Sequence, residues 1–311
     1  MMIVGGCSLR ALVHRSLSYT SCSCLLVSRS SSVSLDFHHD ASLAVLTLCN
    51  HKRRNALTYS MMHELDAHVK TLQDWSRDIN AQNNARVLIL TGSGESFCAG
   101  LDIKQDNAND VLQDGEEMTH HMTKVTNCIH SLPVLSVAAI DGNAIGGGAE
   151  LSTCTDLVVL SRQSTIKFVH ASRGASPGWG GGRRLVNRVG RRKALRMLLL
   201  GESVFGAEEA DRLDYADYVA EEGESSLDAT MRLVEPILNL PCSQSVRAIK
   251  RVVSVADGDE NVITSSDWLR YTKTDDFENE SSSSKTEIFS TAVKCEVRNR
   301  CISPSLGRKI K

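Results

Sequence analysis

Residues 168–181, FVHASRGASPGWGG, hold two side chains of types that carry out covalent chemistry, His170 and Ser176. Gly174 to Gly178 reads G-x-S-x-G, the pattern of a nucleophile elbow. In such an elbow the residue after the serine donates its N–H to the oxyanion hole. Here that residue is Pro177, which has no N–H, and its fixed φ suits a turn better than the start of the helix behind an elbow. The expectation is a Gly/Pro-rich loop ahead of a helix, with Ser176 outside the chemistry.

Two other loops are better suited to catalysis. SFCAGLDIK (Ser96–Lys104) and DGNAIGGGAEL (Asp141–Leu151) each follow an apolar run and carry glycine where the backbone must turn sharply or approach a ligand. In the second, three glycines lead into a helical stretch, so free N–H groups and the positive end of the helix dipole face forward. Two such N–H donors can hold a developing oxyanion. A glycine triplet by itself is equally consistent with a turn that has no function. Gly92-Ser-Gly94-Glu-Ser-Phe97 fails as a dinucleotide fingerprint, because Phe97 stands where the third glycine belongs.

These loops need a frame. LAVLTL (Leu43–Leu48), VLILTG (Val87–Gly92), VLSVAAIDG (Val134–Gly142) and LVVLS (Leu157–Ser161) read as strands. Met61, Leu65, Val69, Leu72 and Trp75 recur at helical spacing, Gly115 to Ser131 reads as a polar helix, and RRKALRMLLLG is helical with Gly201 as C-cap. Alternating strands and helices predict an α/β fold. From Ser225 onward the pattern is mainly helical, with ENESSSSK (Glu278–Lys285) as a break.

A chain of 311 residues with 41% hydrophobic and 23% charged residues can bury a sizeable core. Its net charge of −2 supplies no overall basic field for nucleic acid, and no apolar run is long enough to span a bilayer. Ten cysteines without a CxxC pair read as reduced thiols, with no metal site. Residues 1–35 carry Arg10, Arg15 and Arg29, many serines and no acid before Asp36, as a mitochondrial transit peptide does. The expected location is therefore the mitochondrial matrix, with the cytosol as the alternative. The expected division is a leader over 1–35, a core over 36–224, and a helical C-terminal region over 225–311.

Four separate motifs, in order and spacing, resemble the crotonase (enoyl-CoA hydratase/isomerase) superfamily: RRNALTYSMMHEL, VLILTGSGESFCAGLDIK, VLSVAAIDGNAIGGGAELSTCTDLVVLS and the PGWGGGRRL loop. The resemblance covers about Leu43 to Val255. It implies a crotonase-like spiral of ββα units and an acyl-CoA thioester substrate. It implies no separate cofactor, since coenzyme A is part of the substrate, and a homotrimer or dimer of trimers. In the family two backbone N–H groups hold the thioester oxygen; these map to Leu101 and Gly147. The adenine end of coenzyme A maps near Asn55, Ala56, Ala99 and Ile103.

Hydratases of the superfamily resemble this chain at Glu150 but use a second glutamate, and His170 stands at that position here. Phe168-Val169-His170 and the loop around Trp179 instead resemble the superfamily's decarboxylases of malonyl-type thioesters, such as ethylmalonyl- or methylmalonyl-CoA. Decarboxylation needs no nucleophile: CO₂ leaves and the electrons pass to the thioester oxygen, where the N–H pair stabilises the enolate. Phe168, Val169 and Trp179 are candidates for a dry wall, or plain core. His170 is the candidate proton donor, or an orienting histidine, and Glu150 orients the carboxylate or a water. A hydratase/isomerase remains the alternative enzyme. An RNA-binding relative is the alternative of another class, through the Arg183–Arg196 cluster, which also reads as a solvated helix face.

Overall fold

The computed structural model describes residues 32–38, 42–77, 85–103, 114–200 and 205–256. Most of the expected leader, Gly201 and the ENESSSSK segment lie outside the described residues.

The chain enters through β1 (Ser32–His38), pairs it antiparallel with β2 (Leu43–Cys49), and continues into α1 (Tyr59–Arg77). Next come β3 (Val87–Gly92) and α2 (Gly115–His130). β4 (Leu135–Ile140), β5 (Asn143–Ile145) and α3 (Gly147–Ser152) form one strand–strand–helix unit. β6 (Leu157–Leu160), β7 (Thr165–Lys167) and α4 (Gly181–Leu199) form another. β8 (Phe205–Gly206), α5 (Ala207–Arg212), β9 (Tyr218–Val219), α6 (Ser226–Leu238) and α7 (Ser243–Ala256) complete the described chain.

Strands β1-β2-β3-β4-β6-β9 make one sheet and β5-β7-β8 a second. In each full unit the first strand joins the large sheet and the second joins the small one. Two isolated parallel bridges, Leu57↔Leu101 and Cys98↔Ala144, continue this second layer through the turns after β2 and β3. The result is the expected crotonase-like α/β spiral of ββα units with a helical C-terminal region.

The inner strands β2, β3, β4 and β6 of the large sheet are largely apolar because both faces are covered. Ala44, Leu46, Leu48, Leu88 and Leu90 face one core together with Met61, Leu65, Val69 and Leu72 of α1. Their neighbours Leu43, Val45, Val87 and Ile89 face a second core with Ala229, Val234 and Leu238 of α6. Burial on alternating sides also locks register, since a slip of one residue would exchange the two sets.

Three findings amend the sequence reading. β1 begins at Ser32, so part of the stretch set aside as leader is folded, with Glu64 of α1 accepting from the Val33 N–H at 2.7 Å. α4 starts at Gly181, well before RRKALRMLLLG, and is interrupted at Gly190 (φ 78°, ψ 159°). The small sheet is built from strands of two or three residues, too short for periodicity to register.

Candidate active site

The turn after β3 and the turn after β4 are zipped together. Cys98 N–H donates to the Asn143 carbonyl (3.0 Å), and Ile145 N–H donates to the Cys98 carbonyl (2.9 Å). Gly100 occupies the left-handed region at φ 87°, and a Cβ there would come within 2.8 Å of the Ile145 oxygen and 3.1 Å of the Gly147 nitrogen. Only glycine fits, for both reasons. This close approach sets Leu101 beside Gly147, the first residue of α3. Neither the Leu101 N–H nor the Gly147 N–H has an acceptor among the described residues. The first N–H groups of any helix lack an intrahelical partner, and here the opposing loop does not supply one.

The same zipper gathers the residues expected around coenzyme A. Ala99 N–H donates to the Arg54 carbonyl (3.0 Å), Leu57 N–H to the Gly100 carbonyl (2.7 Å) and Asp102 N–H to the Leu57 carbonyl (2.9 Å). Asn55 is buried and holds the strip rather than offering a free amide. Its Oδ1 accepts from the Asn50 N–H (2.8 Å), and its Nδ2 donates to the Ser93 (2.9 Å) and Ser96 (2.6 Å) carbonyls. Ala56 is buried, Ala99 half-buried, and Ile103 projects outward, 70% exposed.

Glu150 lies one turn into α3 and is 1% exposed. Its Oε1 accepts from Gly178 N–H (3.2 Å) and faces His170 Nε2 (2.9 Å). Its Oε2 accepts from Trp179 N–H (2.8 Å) and Gly181 N–H (3.1 Å). A carboxylate is an acceptor only, so His170 must carry hydrogen on Nε2. His170 Nδ1 is buried with no hydrogen-bond partner. None of the groups on Glu150 is a second carboxylate.

Phe168 is fully buried, stacked edge-on against Tyr215 at 6.3 Å between ring centroids. It supports His170 from the core, 6.4 Å away between centroids, rather than lining an open wall. Val169 approaches the site, since a Cβ on Gly146 would meet its Cγ2 at 3.2 Å. Trp179 packs on Gly147, where an added Cβ would collide with indole atoms Cζ3 and Cη2. Ser176 is exposed on an irregular loop, with Gly174 at φ 69° ahead of it, and no strand-to-helix elbow forms there. Burial pushes the Cys98 thiol up to about 12, so it stays protonated and is no nucleophile.

The basic cluster is divided: Arg183, Arg191 and Arg192 are exposed on the helix, as the solvated-face reading expects, and the rest are tied down. Arg184 is buried and is discussed below; Arg188 pairs with Asp217 (2.7 Å), Lys193 with Asp214 and Arg196 with Glu209 (2.7 Å). In sequence little sets Arg184 apart from Arg183 and the other arginines of the cluster, yet Arg184 is buried and Arg183 exposed. The one local sign is Gly180, where a Cβ would come within 2.7 Å of Arg184 Nη1. Among the described residues no cluster of metal-ligating side chains occurs, and no helix is long and apolar enough to cross a membrane.

Comparison with known proteins gives one consistent result. A family model described as Enoyl-CoA hydratase/isomerase matches residues 38–277. The ethylmalonyl-CoA decarboxylase of Gallus gallus is 39% identical over 167 residues, 54% of this chain, and the match spans only about half (53%) of that protein. The Xenopus tropicalis protein of the same name is 35% identical over 215 residues, 69% of each chain. The Danio rerio protein of that name is 33% identical over 234 residues, 74% of each chain. Among solved structures, an enoyl-CoA hydratase-like protein from Thermobifida fusca in complex with CoA superposes with a TM-score of 0.62 at 25% identity. It covers 78% of this chain and 90% of that one.

Proposed function

The chain belongs to the enoyl-CoA hydratase/isomerase family, and from that premise we propose that it decarboxylates a malonyl-type CoA thioester, such as ethylmalonyl-CoA or methylmalonyl-CoA. The observation that carries this reading is the partner of Glu150: an imidazole, where water addition calls for a second carboxylate. The names of the relatives from Gallus gallus, Xenopus tropicalis and Danio rerio support the same reaction.

The chemistry follows from the unsatisfied groups. The thioester oxygen accepts from the Leu101 and Gly147 N–H groups. The bond between the α-carbon and the carboxylate carbon breaks, CO₂ departs, and the electron pair becomes the enolate, its negative charge on that oxygen. Donors placed in advance at a developing oxyanion are worth about 3 kcal/mol each. The α-carbon then takes a proton from His170 Nδ1, the nitrogen with no protein partner. The imidazole left behind is neutral and keeps its Nε2 hydrogen bonded to Glu150, which acts as the orienting group behind the acid. Glu150 holds His170 and the 178–181 loop and takes no proton. The reaction as proposed needs no separate cofactor.

The assembly proposed with this activity is a homotrimer or dimer of trimers. The exposed side chains of Leu199, Leu200, Ile249 and Val253 are apolar surface that such an assembly would cover, and a monomeric mass by light scattering would count against it. The compartment proposed is the mitochondrial matrix, supported by the acid-free N-terminus; a diffuse cytosolic signal from a reporter fused to that segment would place the protein in the cytosol. The activity itself is tested by incubating the purified chain with malonyl-, methylmalonyl-, ethylmalonyl- and crotonyl-CoA and identifying products by mass. Loss of CO₂ from the malonyl-type thioesters is expected. Hydration of crotonyl-CoA at a comparable rate would make the protein a hydratase.

A further inference from the structure

The indole of Trp179 packs directly on Gly147, the residue whose N–H is proposed above to hold the thioester oxygen. A Cβ on Gly147 would collide with Cζ3 and Cη2 and lie 3.1 Å from Cζ2, so the benzo edge of the ring rests on the Gly147 backbone. Trp179 is 4% exposed, and both its N–H and its carbonyl are hydrogen-bonded. The Trp179 N–H donates to Glu150 Oε2 (2.8 Å), and its carbonyl accepts from Thr126 Oγ1 (2.7 Å) and from Arg184 Nη2. On either side of it, the Gly178 carbonyl accepts from Thr123 Oγ1 (2.8 Å) and the Gly181 N–H donates to Glu150 (3.1 Å).

Arg184 closes this brace. Its Nη1 donates to Asn127 Oδ1 (2.9 Å) and its Nε to Thr153 Oγ1 (3.3 Å), which ties α2, α3 and α4 to one guanidinium. Burial lowers its pKa, while the neighbouring Glu150 carboxylate favours the charged form. A buried cation with several well-placed acceptors is costly to leave half-satisfied, so the brace resists displacement and the indole edge is a fixed wall.

We propose that Trp179 is a specificity-determining residue: its benzo edge bounds the substituent on the carbon next to the thioester, admitting a small branch and refusing a longer one, with Arg184 as the positioning residue that holds the ring there. This rests on the placement of the thioester at Leu101 and Gly147 proposed above. A substituent on that carbon lies within about two bonds of the thioester carbonyl, so it must run alongside whatever covers Gly147. A methylene refused or accepted by an apolar wall is worth about 10- to 200-fold in selectivity.

The test uses the full chain, with Trp179→Leu and Trp179→Phe variants checked for folding by circular dichroism. Two ratios are measured: kcat/KM for butylmalonyl-CoA over ethylmalonyl-CoA, and affinity for 2-ethylhexanoyl-CoA over butyryl-CoA by calorimetry. Trp179→Leu is expected to raise both ratios at least about tenfold, Trp179→Phe to raise them less, and Arg184→Lys to move them in the same direction without touching the ligand. If the wild type releases no CO₂ from any malonyl-type thioester, the decarboxylase reading falls while the calorimetric ratio still judges Trp179. Unchanged ratios in folded Trp179→Leu and Trp179→Phe would overturn the proposal, as would a wild type that binds neither saturated thioester.

Discussion

The two halves that meet at Gly147 follow opposite rules. On one side, the turns at 98–103 and 146–147 are zipped by backbone bonds yet leave the Leu101 and Gly147 N–H groups without acceptors among the described residues. On the other side, the 168–181 segment spends both oxygens of Glu150, each on two donors. A fully bonded group has nothing left to offer a ligand, and a rigid group with an open valence is what a ligand can use. In the proposed reaction Glu150, with each oxygen on two donors, holds its neighbours rather than reacting. The working groups of that reaction are the two backbone N–H groups of Leu101 and Gly147 and the His170 imidazole.

The contrast can be broken at its open side first. Gly147→Pro removes an N–H and drives a ring into the space of Trp179. Turnover should fall about a thousandfold, the upper end for a lost oxyanion donor. Thermal melting separates this from misfolding, and a folded variant at near-normal rate would make Gly147 purely structural.

His170 stands between the two halves, bonded to Glu150 by one nitrogen, with the other buried and without a hydrogen-bond partner. His170→Ala should slow decarboxylation about a hundredfold, the lower range for a lost general acid, with substrate affinity little changed. His170→Glu should weaken binding as well. At about 5 Å and an effective dielectric near 20, the new carboxylate and that of the substrate repel by roughly 3 kcal/mol. Equal rates in the wild type and both variants would remove His170 from the mechanism.

At the closed side the effect should be on stability. Glu150→Gln replaces one acceptor oxygen with an NH₂ donor facing N–H groups that cannot accept, leaving a buried donor unsatisfied at a cost of about 2 kcal/mol. Tm should drop by roughly 4–8 °C, and activity should decline with it. Lost activity at an unchanged Tm would instead mark Glu150 as an acid or base. The smallest effect belongs to Ser176→Ala. An exposed side chain outside both halves should alter stability by under about 0.5 kcal/mol and leave turnover intact, and a serine-reactive phosphonate should not label the protein. Stoichiometric labelling at Ser176 would contradict the whole arrangement.

The sequence alone determined the parts whose signal is local. β3, with its apolar run and its glycine end, is legible because a doubly covered strand must be apolar throughout, and its bounds agree with Val87–Gly92. α1 is legible from one buried face recurring every three or four residues. Pro177 argued against a nucleophile elbow by a missing N–H, which no tertiary context can restore. Tertiary structure decided what depends on residues far apart in the chain. The small sheet exists because short segments find partners across turns, and such segments carry no periodicity of their own. Phe168 became core and Asn55 became a strut because their neighbours, Tyr215 and the Ser93 and Ser96 carbonyls, lie dozens of residues away. Arg184, one arginine among several in sequence, was singled out only when Thr153 and Asn127 closed around it. Burial and hydrogen-bond partnership are properties of the assembled neighbourhood, so no local stretch of sequence carries them.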